Sequence, residues 1–118
     1  MSTELTFGLS PATLQKIRAT LAQHPAIQSA VIYGSRAKGN YKPGSDIDLT
    51  LLGEGLDFDD LTAINEALEE LLLPYEIDLS LFRQIDNTSL REHIERVGKV
   101  LYARDNSMNA ATTGMPSA

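Results

Sequence analysis

Between residues 30 and 52 the chain leaves few folds open. Ala30-Val31-Ile32-Tyr33 is short, apolar and β-branched, Gly34 stops it, and Asp46-Ile47-Asp48-Leu49-Thr50-Leu51-Leu52 then alternates polar with apolar. The first segment fits a buried strand and the second, over about 46 to 52, a strand with one wet face. Between them Lys42-Pro43-Gly44-Ser45 puts Pro and Gly in the two central places of a type II turn. Side chains two apart on a strand leave the same face, so Asp46 and Asp48 emerge together about 6.6 Å apart, and Ile47, Leu49 and Leu51 emerge opposite them. Carboxylates so placed repel one another unless a cation lies between them. The pair is therefore a candidate ligand set for a divalent metal.

The flanking segments supply the cover such strands need. Ser10 and Pro11 mark a cap and first turn, and Leu14, Ile17 and Leu21 recur at helical spacing, which predicts a helix over about 11 to 23 closed by Pro25. Gly53 and Gly55 break the second strand. Asp57, Asp59 and Asp60 then favour a helix start, with Leu61, Ile64, Leu68 and Leu71 along one stripe and Pro74 ending it. Glu76-Ile77-Asp78-Leu79-Ser80-Leu81-Phe82 alternates as a third strand, with Asp78 on the face opposite Ile77, Leu79 and Leu81. A last helix is expected over about 88 to 101 from the stripe Leu90, Ile94, Val97 and Leu101. Residues 103 to 118 are small and polar without periodicity, which predicts a disordered tail after a domain spanning 1 to 102. The order of elements gives an α/β (α+β) fold, a small mixed sheet with helices packed on one face. Asp46, Asp48 and Asp78 would share the other face.

Bulk properties narrow the function. A chain of 118 residues supports one core and no separate substrate lobe, so a large substrate must be held partly elsewhere. The net charge of -6 argues against direct nucleic-acid binding, which draws on Lys and Arg. There is no cysteine, the first residues lack a signal-peptide pattern, and apolar runs are far shorter than a bilayer requires. The expectation is a cytoplasmic protein with no membrane contact.

Gly34-Ser35, ten intervening residues and Asp46-Ile47-Asp48 resemble the signature of the polymerase β nucleotidyltransferase superfamily. The likeness runs over about residues 12 to 102. It is best to the minimal nucleotidyltransferase (MNT) subgroup, with Tyr33 to Leu49 similar to that group's motif block and Val97-Gly98-Lys99-Val100-Leu101-Tyr102 similar to a closing helix. The resemblance implies that Asp46, Asp48 and Asp78 are catalytic and hold two magnesium ions. Gly34 and Ser35 would seat the triphosphate of ATP, a role that suits a residue without Cβ and a turn rich in N–H donors, while Arg36 and Lys38 would steady its charge. It further implies an antitoxin, paired with a HEPN-domain ribonuclease toxin that it neutralises by transferring AMP to a toxin tyrosine. The alternatives are an antibiotic-type, small-molecule nucleotidyltransferase and an antitoxin that acts by binding alone.

Other residues carry blander expectations. His24 and His93 have no partner pattern and are assigned no chemistry, and Tyr33, Tyr41, Tyr75 and Tyr102 are taken as structural, with Tyr41 near enough the motif loop to border a base. Leu68, Leu71, Leu72 and Leu73 are assigned to the core.

Overall fold

The computed structural model describes residues 5–104. Helix α1 (Pro11–Ala22) starts where Ser10 caps it, its Oγ accepting from the Thr13 N–H, and buries Leu14, Ile17 and Leu21. Strand β1 (Ser29–Tyr33) leads into a four-residue helix α2 (Ser35–Lys38), and strand β2 (Ile47–Leu52) follows. Helix α3 (Phe58–Glu69) begins with a reciprocal capping box, the Asp57 carboxylate accepting from the Asp60 N–H and the Asp60 carboxylate from the Asp57 N–H. Strand β3 (Ile77–Leu81), a 3-10 turn (Phe82–Gln84), helix α4 (Thr88–Val97) and strand β4 (Lys99–Ala103) complete the order.

The sheet runs β3-β2-β1-β4. β1 pairs antiparallel with β2 and with β4, whereas β2 and β3 are parallel, so the sheet is mixed as expected. Ala30, Ile32, Ile47, Leu49, Leu51 and Leu81 form the strand half of the core, and Ile17, Leu21, Ile64 and Leu68 from α1 and α3 close over it. Each such Ile or Leu side chain contributes on the order of 1.5–3 kcal/mol through removal from water.

Four details depart from the sequence expectations. The predicted helix over 88 to 101 ends at Val97, and residues 99 to 103 form β4 instead. At Gly98 a Cβ would press on the Ile94 carbonyl and on Val31, so the glycine lets the chain leave the helix and lie against β1. Leu101 is buried through the sheet rather than through a helical stripe. Secondly, α4 does not join α1 and α3: its His93 ring packs edge-on against Tyr33, whose partner across β2 is Asp48, so α4 flanks the carboxylate face. Ile94 is buried there, apart from the main core cluster. Thirdly, the turn at Lys42-Pro43-Gly44-Ser45 forms, with the Ser45 N–H donating to the Lys42 carbonyl, but Gly44 does not take the positive φ of a type II turn. Leu72, assigned to the core, is 87% exposed and sits at φ 55 where the chain turns out of α3. The tail beyond residue 104 lies outside the described residues.

Candidate functional site

The end of β1 and the starts of β2 and β3 lie side by side at one end of the sheet. Asp48 and Asp78 are direct neighbours in the parallel β2–β3 register, and residues so paired project from the same face about 4.8 Å apart along the hydrogen-bond direction. Tyr33 sits across from Asp48 on β1 and extends the same row. Asp46 precedes β2 and is exposed, as is Asp78, while Asp48 is half-buried. Burial pushes the Asp48 carboxyl above the usual carboxylate range, and the charges of Asp78 and then Asp46 push it further, with His93 pulling the other way. Asp48 therefore lies within the field of both other acids. Tyr33 is likewise raised, chiefly by burial, with a Ser80 hydrogen bond opposing and Asp48 and Asp78 adding to the rise.

Gly34 connects this cluster to the turn above it. Its φ of 75 and ψ of -154 lie where residues with a Cβ are strained, and a Cβ would collide with Oδ2 of Asp48. The glycine thus allows a metal-type carboxylate to touch the Gly34-Ser35 bend. The first hydrogen bond of α2 runs from the Lys38 N–H to the Gly34 carbonyl, which leaves the N–H groups of Ser35, Arg36 and Ala37 without acceptors inside the turn. Donors aimed out of a tight bend suit an anionic ligand.

Arg36 has a different role from the phosphate contact expected of it. It is 2% exposed, and its guanidinium donates to the carbonyls of Ser45, Pro43 and Phe7. Its Cζ also lies over the Tyr75 ring at 4.8 Å and over the Tyr41 ring at 5.2 Å from the centroids. A buried planar cation is stabilised by such carbonyls and rings, so this side chain fastens the motif loop to the N-terminal segment. Tyr41 is accordingly a packing partner of Arg36. Gly8 makes room, since a Cβ there would strike both the Tyr41 ring and Nη1 of Arg36. Lys38 remains exposed at the end of α2. His93, to which no chemistry was assigned, stands beside Tyr33 and Asp48. No local pattern could have found it, because its place depends on α4 crossing to this face.

The three acids offer carboxylate oxygens, the donor type that a hard divalent cation takes. Among the described residues no group of three or more His, Cys, Asp or Glu side chains is placed where it could hold a metal ion.

Residues 15–107 match the family model described as Polymerase beta, Nucleotidyltransferase. The chain belongs to this nucleotidyltransferase family. A Haemophilus influenzae protein provisionally named the protein adenylyltransferase MntA is 35% identical over 81 residues, 68% of this chain and 70% of that protein. A Methanocaldococcus jannaschii protein, also provisionally named a protein adenylyltransferase, is 31% identical over 83 residues, 64% of this chain and 79% of its own length. Among solved structures, a chain from a toxin-antitoxin crystal with AMP-PNP superimposes with a TM-score of 0.63 at 27% identity, covering 77% of this chain and 73% of that one. A protein provisionally described as a minimal nucleotidyltransferase gives a TM-score of 0.60 at 26% identity over 83% and 98% of the two chains. In this chain the fold is a four-stranded mixed sheet with the Gly-Ser bend at the end of β1. No helix among the described residues is long and apolar enough to cross a membrane.

Proposed function

We propose that this nucleotidyltransferase is a cytoplasmic, magnesium-dependent antitoxin that transfers AMP from ATP to a tyrosine of a HEPN-domain toxin. The observation that carries the reading is the in-register pair Asp48 and Asp78, with Asp48 in contact with the Gly34-Ser35 bend. That contact puts acids suited to a metal and donors suited to phosphate within reach of one triphosphate. It is supported by the names of the two adenylyltransferase relatives and by the toxin-antitoxin chain solved with AMP-PNP.

Asp46, Asp48 and Asp78 would hold the magnesium ions, which when bound offset the charge that develops on the transferred phosphoryl group and the departing diphosphate. An open set of acids suits this metal, which is commonly bound through one or two carboxylates and completed by substrate phosphates and water. Gly34 admits the triphosphate close to the backbone, and Ser35 donates to it through its hydroxyl and the free N–H groups of the turn. Lys38 adds positive charge at the rim. The tyrosine oxygen bonds to the α-phosphorus, the bond from that phosphorus to the bridging oxygen of the β-phosphate breaks, and diphosphate leaves with the electron pair. Asp78 accepts the tyrosine proton.

Intact-mass spectrometry of a HEPN-domain partner after incubation with this chain, magnesium and each nucleoside triphosphate tests the proposal. The expected result is a gain of AMP with ATP and none with Asp46→Ala. A partner whose mass never changes with the wild-type chain overturns the reading.

A further inference from the structure

β3 is an outer strand, and an outer strand presents every second N–H and C=O to whatever lies beside the sheet. Helix α3 runs along that edge. Between them lies a groove of about 530 Å³ lined by Leu61, Asn65, Glu66 and Glu69 of α3 and by Ile77 and Asp78 of β3. A second cleft of about 410 Å³ shares Asn65, Glu69 and Ile77 and carries the depression on to Leu72 and Glu76. Each lies within the ~300–1,000 Å³ range of binding clefts, so the pair is roomy enough for several side chains in a row. Two large apolar side chains stand beside it: Phe58 is 67% exposed at the start of α3, and Leu72 is 87% exposed beyond its end.

The chemistry of the groove selects an occupant. Its lining includes Glu66, Glu69, Glu76 and Asp78 and neither Lys nor Arg. Leu61, Leu68, Ile77 and Leu79 line it as well, and its edge is the outer side of β3. We infer that the groove seats an extended segment of the partner protein, added beside β3 as a fifth strand, with Lys or Arg side chains toward α3, their stems over Phe58, Leu61 and Leu72 and their charged ends at Glu66 and Glu69, and the alternate side chains on the Asp78 side. The chain's own residues 105 to 118 contain no Lys or Arg, which makes them a poor match for these acids. Asp78 belongs both to the groove and to the carboxylate face, so a segment lodged there lies directly beside the reacting groups. The inference relies on the transferase reading only for the identity of the partner.

Two measurements separate the two ideas. Isotope-labelled full-length chain is titrated with a synthetic peptide of alternating Lys and Val and, separately, of alternating Glu and Val, following amide resonances. The Lys-Val peptide is expected to shift Ile77 to Leu81 and the facing residues of α3, with Glu66→Lys/Glu69→Lys weakening it by about tenfold or more and the Glu-Val peptide inert. Shifts spread away from this edge, or equal binding of both peptides, overturn the inference. Glu66 and Glu69 are exposed, so their reversal spares the core; Leu72→Asn, which suits the positive φ there, gives a second variant with the same expected direction. In the other arm, hydrogen exchange with the HEPN-domain partner is expected to protect residues 77 to 81, and the charge-reversed chain is expected to bind about tenfold more weakly or worse. A partner that gains AMP yet leaves those amides unprotected and binds both chains equally refutes the groove and leaves the transferase reading intact. A partner that neither binds nor gains AMP refutes the transferase reading, while the peptide titration still decides the groove.

Discussion

Replacing Asp48 by Asn should make the protein more stable while abolishing its chemistry. Asp48 is half-buried with its carboxyl pushed up first by burial, then by Asp78 and Asp46. Asn keeps the shape against Gly34 and removes the charge. With strands about 4.8 Å apart, two unit charges repel by about 1 kcal/mol at a water-like dielectric and about 3 kcal/mol at an effective value of 20. Asp78 is exposed, so solvent screening favours the lower figure. For a domain of this size a gain of about 1 kcal/mol raises the melting temperature by about 4–8 °C. A carboxyl whose folded pKa lies above its unfolded value keeps its proton better when folded, so stability falls as pH rises from the ordinary carboxylate range through the raised pKa and remains lower above it. The advantage of Asp48→Asn should therefore be full at neutral pH and fade toward pH 3. Metal-free thermal melts of wild type, Asp48→Asn, Asp78→Asn and the double variant across that range supply the test. The double variant should gain less than the sum of the singles, because both remove the same repulsion. Asp48→Asn melting at or below wild type at neutral pH, or an advantage unchanged at pH 3, would show that the carboxylates are not in conflict.

Four further outcomes follow from the packing. Gly34→Ala should lose AMP transfer and about 1–3 kcal/mol of stability, since it combines a strained φ with a collision at Asp48; an unchanged chemical-denaturation midpoint would contradict the close approach. Arg36→Lys should destabilise by about 2–4 kcal/mol, because an ammonium cannot reach the carbonyls of Ser45, Pro43 and Phe7 together while packing on the two rings. If that variant melted like wild type but bound ATP poorly, Arg36 would be a phosphate ligand after all. Leu101→Ala should cost about 2–5 kcal/mol in urea unfolding, as expected of a strand residue buried beside β1 and not of a frayed helix end. Adding magnesium should raise the melting temperature of wild type, and the rise should vanish in Asp48→Asn if these acids hold the ion.

Local patterns revealed much of the site because its chemistry lies in two short runs. The Gly34-Ser35 bend, the alternation through Asp46 and Asp48, and the strand bearing Asp78 all follow from periodicity and turn residues, and these are one-dimensional signals. The third acid could be assigned to the right face and to an adjacent strand, but not to the residue it stands beside. Its position beside Asp48 needed the parallel register of β2 with β3, which is fixed by packing against α3. The fourth strand shows where periodicity misleads: Val97 and Leu101 continue the helical spacing of Leu90 and Ile94, yet Gly98 turns the chain so that β4 can hydrogen-bond to β1.

The charge and burial of Arg36 mark the same division. A basic residue next to a phosphate-type bend suggests a phosphate ligand in sequence, where only neighbours along the chain are visible. Folding surrounds it with carbonyls from residues 7, 43 and 45 and with rings from 41 and 75, and those partners take up its donors. Residue order alone thus determined the acids, the bend and the alternating strands, because each is set by the pleat or by a turn of a few residues. Which acid stands beside which, where α4 crosses to bring His93 near, and whether a cation faces ligand or interior were decided by tertiary packing, since contacts between distant segments depend on how the whole core closes.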